Sequence, residues 1–498
     1  MKFQATSRKP ETIKTEGLAL FHYEGEDLAG PVKDLDKILD SKISKAVKSG
    51  VFEGKQGQIL QIDTLGKASA EKILVAGLGK RDAVTLETIR RAAGISARAF
   101  RDGGVKNFVT AMALAEVKGA NAGLLAQSAA EGTKLALYSF DQLKAEKQKK
   151  KIESVTVVSP DAVSEPIVAK HVRRGVTLAD NACLARDLIN LPSNIATPSY
   201  LANEAKKAGK ELGIKVTILG PKEIEKNKMG GLMAVARGSH EPARFIIMEW
   251  MKGPKNQKPI TLVGKGLTFD TGGISIKPSE KMEEMKSDMS GGAAVICAMR
   301  SIAALNIKAN VVGLVPSTEN MPGGSSVKPG DVATGLSGVT MEIINTDAEG
   351  RLILSDALAY AKRYNPDCVV DIATLTGACA VALGGFASGL FGTDEELVGQ
   401  IKESGEATGE RCWPMPLWPE YEDQIRSEVA DIKNVGPRWG GAITAAAFLK
   451  KHVTGKWAHI DIAGTAYISD KPRSYIPLGG VGLGVRLFVD FVERRLGL

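Results

Sequence analysis

Apolar residues fall into short uninterrupted runs separated by stretches of helical spacing, an alternation that predicts an α/β protein. In the first third, Ile73 to Ala76 and Phe108 to Leu114 read as strands and Ile152 to Val158 as an alternating one. A helix with charge on one face is expected over Leu86 to Phe100. From Ser164 to Leu191, Val168, Val172, Val176, Leu178 and Leu184 recur at helical spacing and stop at Pro192, which predicts a long connecting helix. Beyond it, Val216 to Leu219, Phe245 to Met248, Ile260 to Val263, Val311 to Val315, Cys368 to Ile372 and Ile460 to Ala463 are candidate strands. Helical stretches over Leu201 to Leu212, Gly291 to Leu305, Leu352 to Tyr364 and Thr444 to His452 separate most of them. The expected architecture is an N-terminal α/β domain over 1–163, a connecting helix over 164–192, and a C-terminal α/β domain over 193–498. The last should hold a mixed central sheet with helices on both faces.

Composition narrows this picture. With 498 residues, 44% of them hydrophobic, the chain is long enough for two domains with full cores. Its five cysteines show no CxxC or paired spacing, which fits reduced thiols in the cytoplasm and argues against a disulfide framework or a cysteine-held zinc. Met1 to Thr6 holds no apolar h-region and no window reaches 18 apolar residues, so neither a secretory signal nor a membrane span is expected. The net charge of +8 and the basic run Lys144 to Lys151 admit DNA binding as a secondary role, although such a run ordinarily marks a solvated loop. Gly77-Leu78-Gly79 invites a dinucleotide reading that fails, because the third glycine of G-x-G-x-x-G would fall at Asp82.

The candidate chemistry gathers in the second block. Asn345-Thr346-Asp347-Ala348-Glu349-Gly350-Arg351-Leu352 puts two carboxylates, a glycine and an arginine directly before an apolar helical stretch. Thr346-x-x-Glu349 fits a capping box, which needs no function. Two features point further: Gly350 sits where a better helix former would help, and Asp347 and Glu349 would share one side of an extended segment. About eighty residues upstream, Lys265 and Asp270 follow the expected strand Ile260 to Val263 among glycines, with Lys277 and Asp288 beyond. Ligand sites of open α/β sheets lie past the carboxyl ends of strands. Asp270, Asp288, Asp347 and Glu349 would repel one another if gathered without cations, and two divalent ions would balance them. None of the five histidines lies near these motifs in sequence, leaving a carboxylate-rich site with one amine ligand, suited to zinc or manganese. Glycine-rich loops such as Pro322-Gly323-Gly324, Leu375-Thr376-Gly377 and Trp439-Gly440-Gly441 concentrate in the same block.

These motifs, NTDAEGRL at 345–352 and VGKGLTFDTGG with the Lys277 to Asp288 spacing, resemble the leucine aminopeptidase family of dinuclear metallopeptidases. Asn320 to Gly323 and Asp371 to Gly377 support the likeness. The first block resembles the family's N-terminal domain more weakly. The resemblance implies one metal held by Lys265, Asp270, Asp288 and Glu349, and another by Asp270, Asp347 and Glu349, with a water between them as the nucleophile. It implies that Lys277 polarises the scissile carbonyl and that Arg351 holds a bicarbonate acting as general base. The substrate side-chain pocket would be formed by Met285, Thr374, Gly377, Ala463 and Ala466. Peptides with a free N-terminus and an apolar first residue are the implied substrates, and a homohexamer the implied assembly. Gly479-Gly480-Val481-Gly482 departs from an Ala-Thr-Gly version common in the family, away from every ligand position. A dinuclear phosphoesterase is the competing enzyme class, but such sites usually add histidines.

Overall fold

A computed structural model of the protein describes residues 1–160 and 163–498. The chain divides into two compact units, one of Met1–Cys183 with Asp470–Pro477 and one of Leu184–Ser469 with Leu478–Leu498. The helix Glu165–Asn190 runs through the division.

The first unit is built on six strands: Lys2–Thr6 (β1), Thr15–His22 (β2), Ile59–Asp63 (β3), Ala70–Gly77 (β4), Asn107–Thr110 (β5) and Ser154–Val158 (β6). Their order is β1-β6-β5-β2-β4-β3, with every pairing parallel except that of β3 with β4. Alternation along β2 explains why both faces are covered. Leu18 and Leu20 join Val32, Leu35 and Ile43 of the helices Gly30–Ile38 and Lys42–Lys48 in one core. Ala19 joins Ala93, Ala97, Ala126 and Ala129 of the helices Leu86–Asp102 and Ala122–Ala136 in the other. The expected strand over Phe108 to Leu114 stops at Thr110, and Met112–Leu114 is a short 3-10 turn. Met112 and Ala113 are apolar because they are buried, and a short apolar run does not distinguish burial from extension. The late segment Asp470–Pro477 is tied into this unit by the Tyr475 hydroxyl, which donates to the Glu87 carboxylate at 2.9 Å.

The second unit carries Lys215–Leu219 (β7), Arg244–Met251 (β8), Ile260–Gly264 (β9), Gly266–Asp270 (β10), Asn310–Asn320 (β11), Val332–Thr334 (β12), Thr340–Glu342 (β13), Cys368–Ala373 (β14), Ser388–Gly392 (β15), Cys412–Pro414 (β16), Ile432–Lys433 (β17) and Trp457–Asp461 (β18). Nine form one mixed sheet in the order β16-β15-β18-β14-β9-β11-β8-β7, with β10 beside β11. At its centre β18, β14, β9 and β11 run parallel, so Asp461, Ala373, Gly264 and Asn320 end their strands on the same edge. β9 and β14 are buried along their whole length, as expected for parallel strands covered on both faces. The strand expected over Ile460 to Ala463 is instead Trp457–Asp461. Its polar member His459 hides the run, yet it is fully buried because its Nδ1 pairs with Asp371 on β14 at 2.6 Å. Gly479 has a positive φ of 85°, and a Cβ there would stand 2.2 Å from Asn190 Oδ1, which explains a glycine at that departure from the family pattern.

Candidate metal centre

The polar cluster is assembled at the carboxyl edge of the parallel strands, where backbone groups that have left the sheet need other partners. Lys265 follows β9 directly, and its backbone is clamped on both sides. Its N–H donates to Ile372 O at 3.1 Å and its carbonyl accepts from Gly292 N at 2.7 Å. Asp270 ends β10, and its Oδ1 accepts from Gly272 N at 2.9 Å and from Asn320 Nδ2 at 2.8 Å. Asp288 precedes the helix Ser290–Ala304 and accepts from Thr374 Oγ1, past the end of β14, at 2.6 Å.

Residues 345–349 form a turn, not an extended segment, leading into the helix Gly350–Ala361. The capping box is absent, because Glu349 occupies the N-cap position without a side-chain cap bond. The Thr346 hydroxyl donates to Gly272 O at 2.6 Å and accepts from Ser275 N at 2.8 Å, pinning the turn to the loop after β10. Asn320 Nδ2 also donates to Thr346 O at 3.0 Å. One amide thereby holds both acidic segments. Gly350 is explained by proximity, since a Cβ there would lie 2.7 Å from Lys265 Nζ.

Asp270, Asp347 and Glu349 each present a carboxylate oxygen, and these oxygens lie within 4.8 Å of one another. Lys265 Nζ lies 2.8 Å from both Asp288 oxygens, 2.9 Å from Glu349 Oε1 and 3.0 Å from Thr374 O. Lys277 Nζ lies 2.8 Å from Asp270 Oδ2 and pairs with Asp347 Oδ1. Four carboxylates therefore face two ammoniums, an excess of two negative charges. The buried Glu349 Oε2 accepts no hydrogen bond among the described residues. This orphaned, acceptor-only oxygen and the excess negative charge fit divalent cations. The Arg351 guanidinium is buried, donates from Nη1 to Asn434 O at 2.7 Å and leaves Nε without a hydrogen bond among the described residues, which fits a small anion.

Electrostatics follow the same account. Burial, reinforced by Asp270 and Asp288, pushes Glu349 up to about 8, and burial with Asp270 raises Asp347. Burial also raises Asp288. Burial opposes the charge on Lys265, but Asp288, Glu349 and Asp270 outweigh it and hold the ammonium above its ordinary range. Burial pulls Arg351 down to about 10. A carboxyl raised in the folded state contributes stability that is full below its unfolded pKa and lost as pH rises through its folded one. The metal-free protein is therefore expected to lose thermal stability as pH rises from about 4.5 to about 8, the interval between the ordinary and folded values of Glu349. Added divalent metal should remove much of that loss. A melting temperature that rises over this interval without metal would contradict the charge excess.

The structure brings Lys265, Asp270, Lys277, Asp288, Asp347 and Glu349 into one cluster, with Thr374 bonded to Asp288. Met285 lies on the 3-10 helix Met282–Met289, and Gly377 opens the helix Gly377–Leu383. The Ala463 N–H is held by Asp461 Oδ1 at 3.1 Å, and Ala466 is buried at 1% exposure. Asn434 and Asp461 were not singled out from the sequence, and Asn320 and Thr346 stood out only as parts of motifs, without their positioning role. Asn434 accepts from Ile344 N at 2.8 Å and donates to Asn345 O at 2.7 Å, bracing the acidic turn from about ninety residues away in the chain. Asp461 accepts from Thr376 Oγ1 at 2.6 Å and shapes the loop after β14. A lone Asp or Asn closing an apolar run is the signal that could have found Asp461 and Asn320. Asn434 has none. The basic run Lys144 to Lys151 is an exposed loop of the first unit and takes no part in the cluster.

Comparison with known proteins gives the chain's family. The model for the catalytic domain of the cytosol aminopeptidase family matches residues 183–489, and that for the family's N-terminal domain matches 19–147. A probable cytosol aminopeptidase of Nitrosococcus oceani is 43% identical over 499 residues, covering 99% of each chain. One from Geotalea uraniireducens is 45% identical over 92% of this chain and 93% of its own. Among solved structures, a tomato leucine aminopeptidase mutant superposes with a TM-score of 0.90 at 32% identity, covering 99% of this chain and 96% of its own. A bottromycin maturation enzyme in complex with manganese superposes at 0.86 with 33% identity, covering 97% of this chain and all of its own. With both domain models matched in order and relatives aligned over nearly the full length, this chain belongs to the cytosol aminopeptidase family.

Proposed function

We propose that this chain removes the N-terminal residue from peptides at a centre of two divalent cations, zinc or manganese. Lys265, Asp270, Asp288 and Glu349 would hold one ion and Asp270, Asp347 and Glu349 the other. The observation that carries this reading is the gathering of four carboxylates, which outnumber the ammoniums beside them, in a cluster whose Glu349 retains an unpartnered oxygen among the described residues. Two such ions supply an activated water and charge stabilisation for the attacking and receiving oxygens of a hydrolysis.

The chain's own groups complete the reaction. Lys277 sits at the less buried side of the cluster, with 22% of its side chain exposed, and Asp270 and Asp347 keep it protonated. That suits a charged electrophile which meets the developing oxyanion of the scissile carbonyl. Lys265 is buried, so its neutral amine is favoured once cations replace the surrounding excess of negative charge. Arg351, with its unbonded Nε, would hold a bicarbonate as general base. Met285, Thr374, Gly377, Ala463 and Ala466 are small or flexible and would border an apolar side-chain subsite.

The acidic centre should select a free α-amino group, whose basicity an acetyl cap removes. Leucine p-nitroanilide is therefore expected to be cleaved and its N-acetyl derivative to be inert. Efficient cleavage of the blocked substrate would contradict the exopeptidase reading, and cleavage of phosphate esters in place of leucine amides would favour the phosphoesterase class.

The family resemblance further suggests a cytoplasmic homohexamer, consistent with the exposed apolar surface of Trp413, Trp418 and Trp439. Light scattering at micromolar concentration should give six times the 52.8 kDa chain mass, and a monomer mass would refute the assembly.

A further inference from the structure

The first unit holds a second built crevice, which the peptidase chemistry does not use. In its sheet, β4 lies on one side of β2 and β5 on the other. The chain therefore reverses its direction across the sheet at β2, and in α/β folds ligands occupy the crevice beyond the carboxyl ends of strands at such a reversal. A cavity of about 240 Å³ lies at that position, between the residues that follow β2 and β5 and the start of the helix Gly30–Ile38. Its inner wall is apolar, formed by Leu20, Val32, Ala111 and Leu114.

Two polar features make it more than a packing gap. His22, the last residue of β2, is 4% exposed and lines the cavity, yet its Nε2 has no hydrogen-bond partner among the described residues. A buried, unbonded imidazole nitrogen is an uncompensated cost unless a ligand or water meets it. The mouth is bridged by Arg81, whose guanidinium lies 4.1 Å over the Tyr23 ring. Arg81 donates to both Glu26 oxygens, at 2.8 and 2.6 Å, and to Glu116 at 2.7 Å. Glu26, Asp27 and Glu116 against Arg81 leave two net negative charges at the entrance, which favours a cation. Burial holds His22 below its ordinary value, with the Glu26 carboxylate opposing, so the imidazole is neutral and able to accept a hydrogen bond.

We propose that this crevice binds a small primary amine with an apolar body, its ammonium between Glu26 and His22 and its apolar group against Leu20, Val32 and Leu114. The volume suits a body of leucine size. Two sources share that chemistry, a free apolar amino acid and the corresponding decarboxylated amine.

The test is calorimetric titration of the full chain with 3-methylbutylamine, leucine and 4-methylpentanoate. Ala29 is exposed in extended backbone at the mouth, so Ala29→Trp can fill the entrance without disturbing the core. His22→Phe keeps the ring and removes the acceptor. The amine should bind the wild type and weaken about tenfold or more in each variant, in His22→Phe through loss of one charge-assisted hydrogen bond and in Ala29→Trp through the blocked entrance. Hydrolysis of leucine p-nitroanilide should be unchanged in both. Leucine binding as tightly as the amine assigns the crevice to amino acids, and binding of the amine alone assigns it to decarboxylated amines. Amine binding that is indifferent to Ala29→Trp, or 4-methylpentanoate binding as tightly as the amine, would overturn the proposal and leave the peptidase reading untouched.

Discussion

Glu349→Gln is expected to lower turnover of leucine p-nitroanilide by more than about 10³-fold, the upper end for loss of one electrostatic group at a reacting centre. Glu349 is 2% exposed, pairs through Oε1 with Lys265 at 2.9 Å and leaves Oε2 unbonded. The amide keeps the shape but replaces an anionic oxygen by a donor, in a cluster whose task is to face cations. Metal content should fall with activity, because the lost charge serves both proposed ions. Misfolding is distinguishable from this effect. Ionised Glu349 is destabilising in the metal-free fold above about pH 8, so the metal-free variant should melt no lower than wild type there. Asp270→Asn should match the loss for a second reason. Asp270 Oδ1 is occupied by Gly272 N and Asn320 Nδ2, so the amide NH2 would face Lys277 Nζ, donor against donor. Wild-type metal content in both variants would contradict the bridging assignment.

Lys277→Ala and Lys265→Ala should fail differently, although composition treats the two lysines alike. Lys277 is partly exposed and ion-paired with Asp270 and Asp347. Its removal should leave metal content intact and lower kcat by about 10²–10³-fold, since its contact strengthens as the oxyanion forms. Lys277→Arg is not expected to restore the rate, because a planar fork does not reproduce a point charge. Lys265 is enclosed by Asp288, Glu349 and the Thr374 carbonyl. Lys265→Ala should weaken one metal site, and excess metal should restore part of the activity. Metal analysis of the two variants decides the assignment: loss of an ion from Lys277→Ala but not from Lys265→Ala reverses the roles.

Much of this centre was legible because its carboxylates and lysines stand beside strand ends that announce themselves as apolar runs. Lys265 follows Ile260–Gly264 and Thr374 follows Cys368–Ala373, both mostly apolar and buried throughout, so the apolar run locates the strand and the polar residue just past it marks the edge. Local geometry was less legible. Thr346 and Glu349 have the spacing of a capping box, yet tertiary partners at Gly272 and Ser275 claim the threonine. Trp457–Asp461 was displaced in the sequence reading because His459 looks polar, and only its contact with Asp371 across the sheet explains its burial. Asn434 braces the acidic turn across about ninety residues, a long-range relation that periodicity does not carry. The crevice beyond β2 was missed for the same reason, since His22, Glu26, Arg81 and Glu116 converge only once the strand order is known.

The central claim is that the cluster of Asp270, Asp288, Asp347 and Glu349 works as a two-cation peptidase centre. The most direct test is leucine p-nitroanilide hydrolysis by chelator-stripped protein, followed as zinc, manganese or cobalt is added back in counted equivalents. The account predicts no turnover in the stripped protein and recovery that saturates at two equivalents per chain. Full activity after stripping, or saturation at a single equivalent, would contradict it.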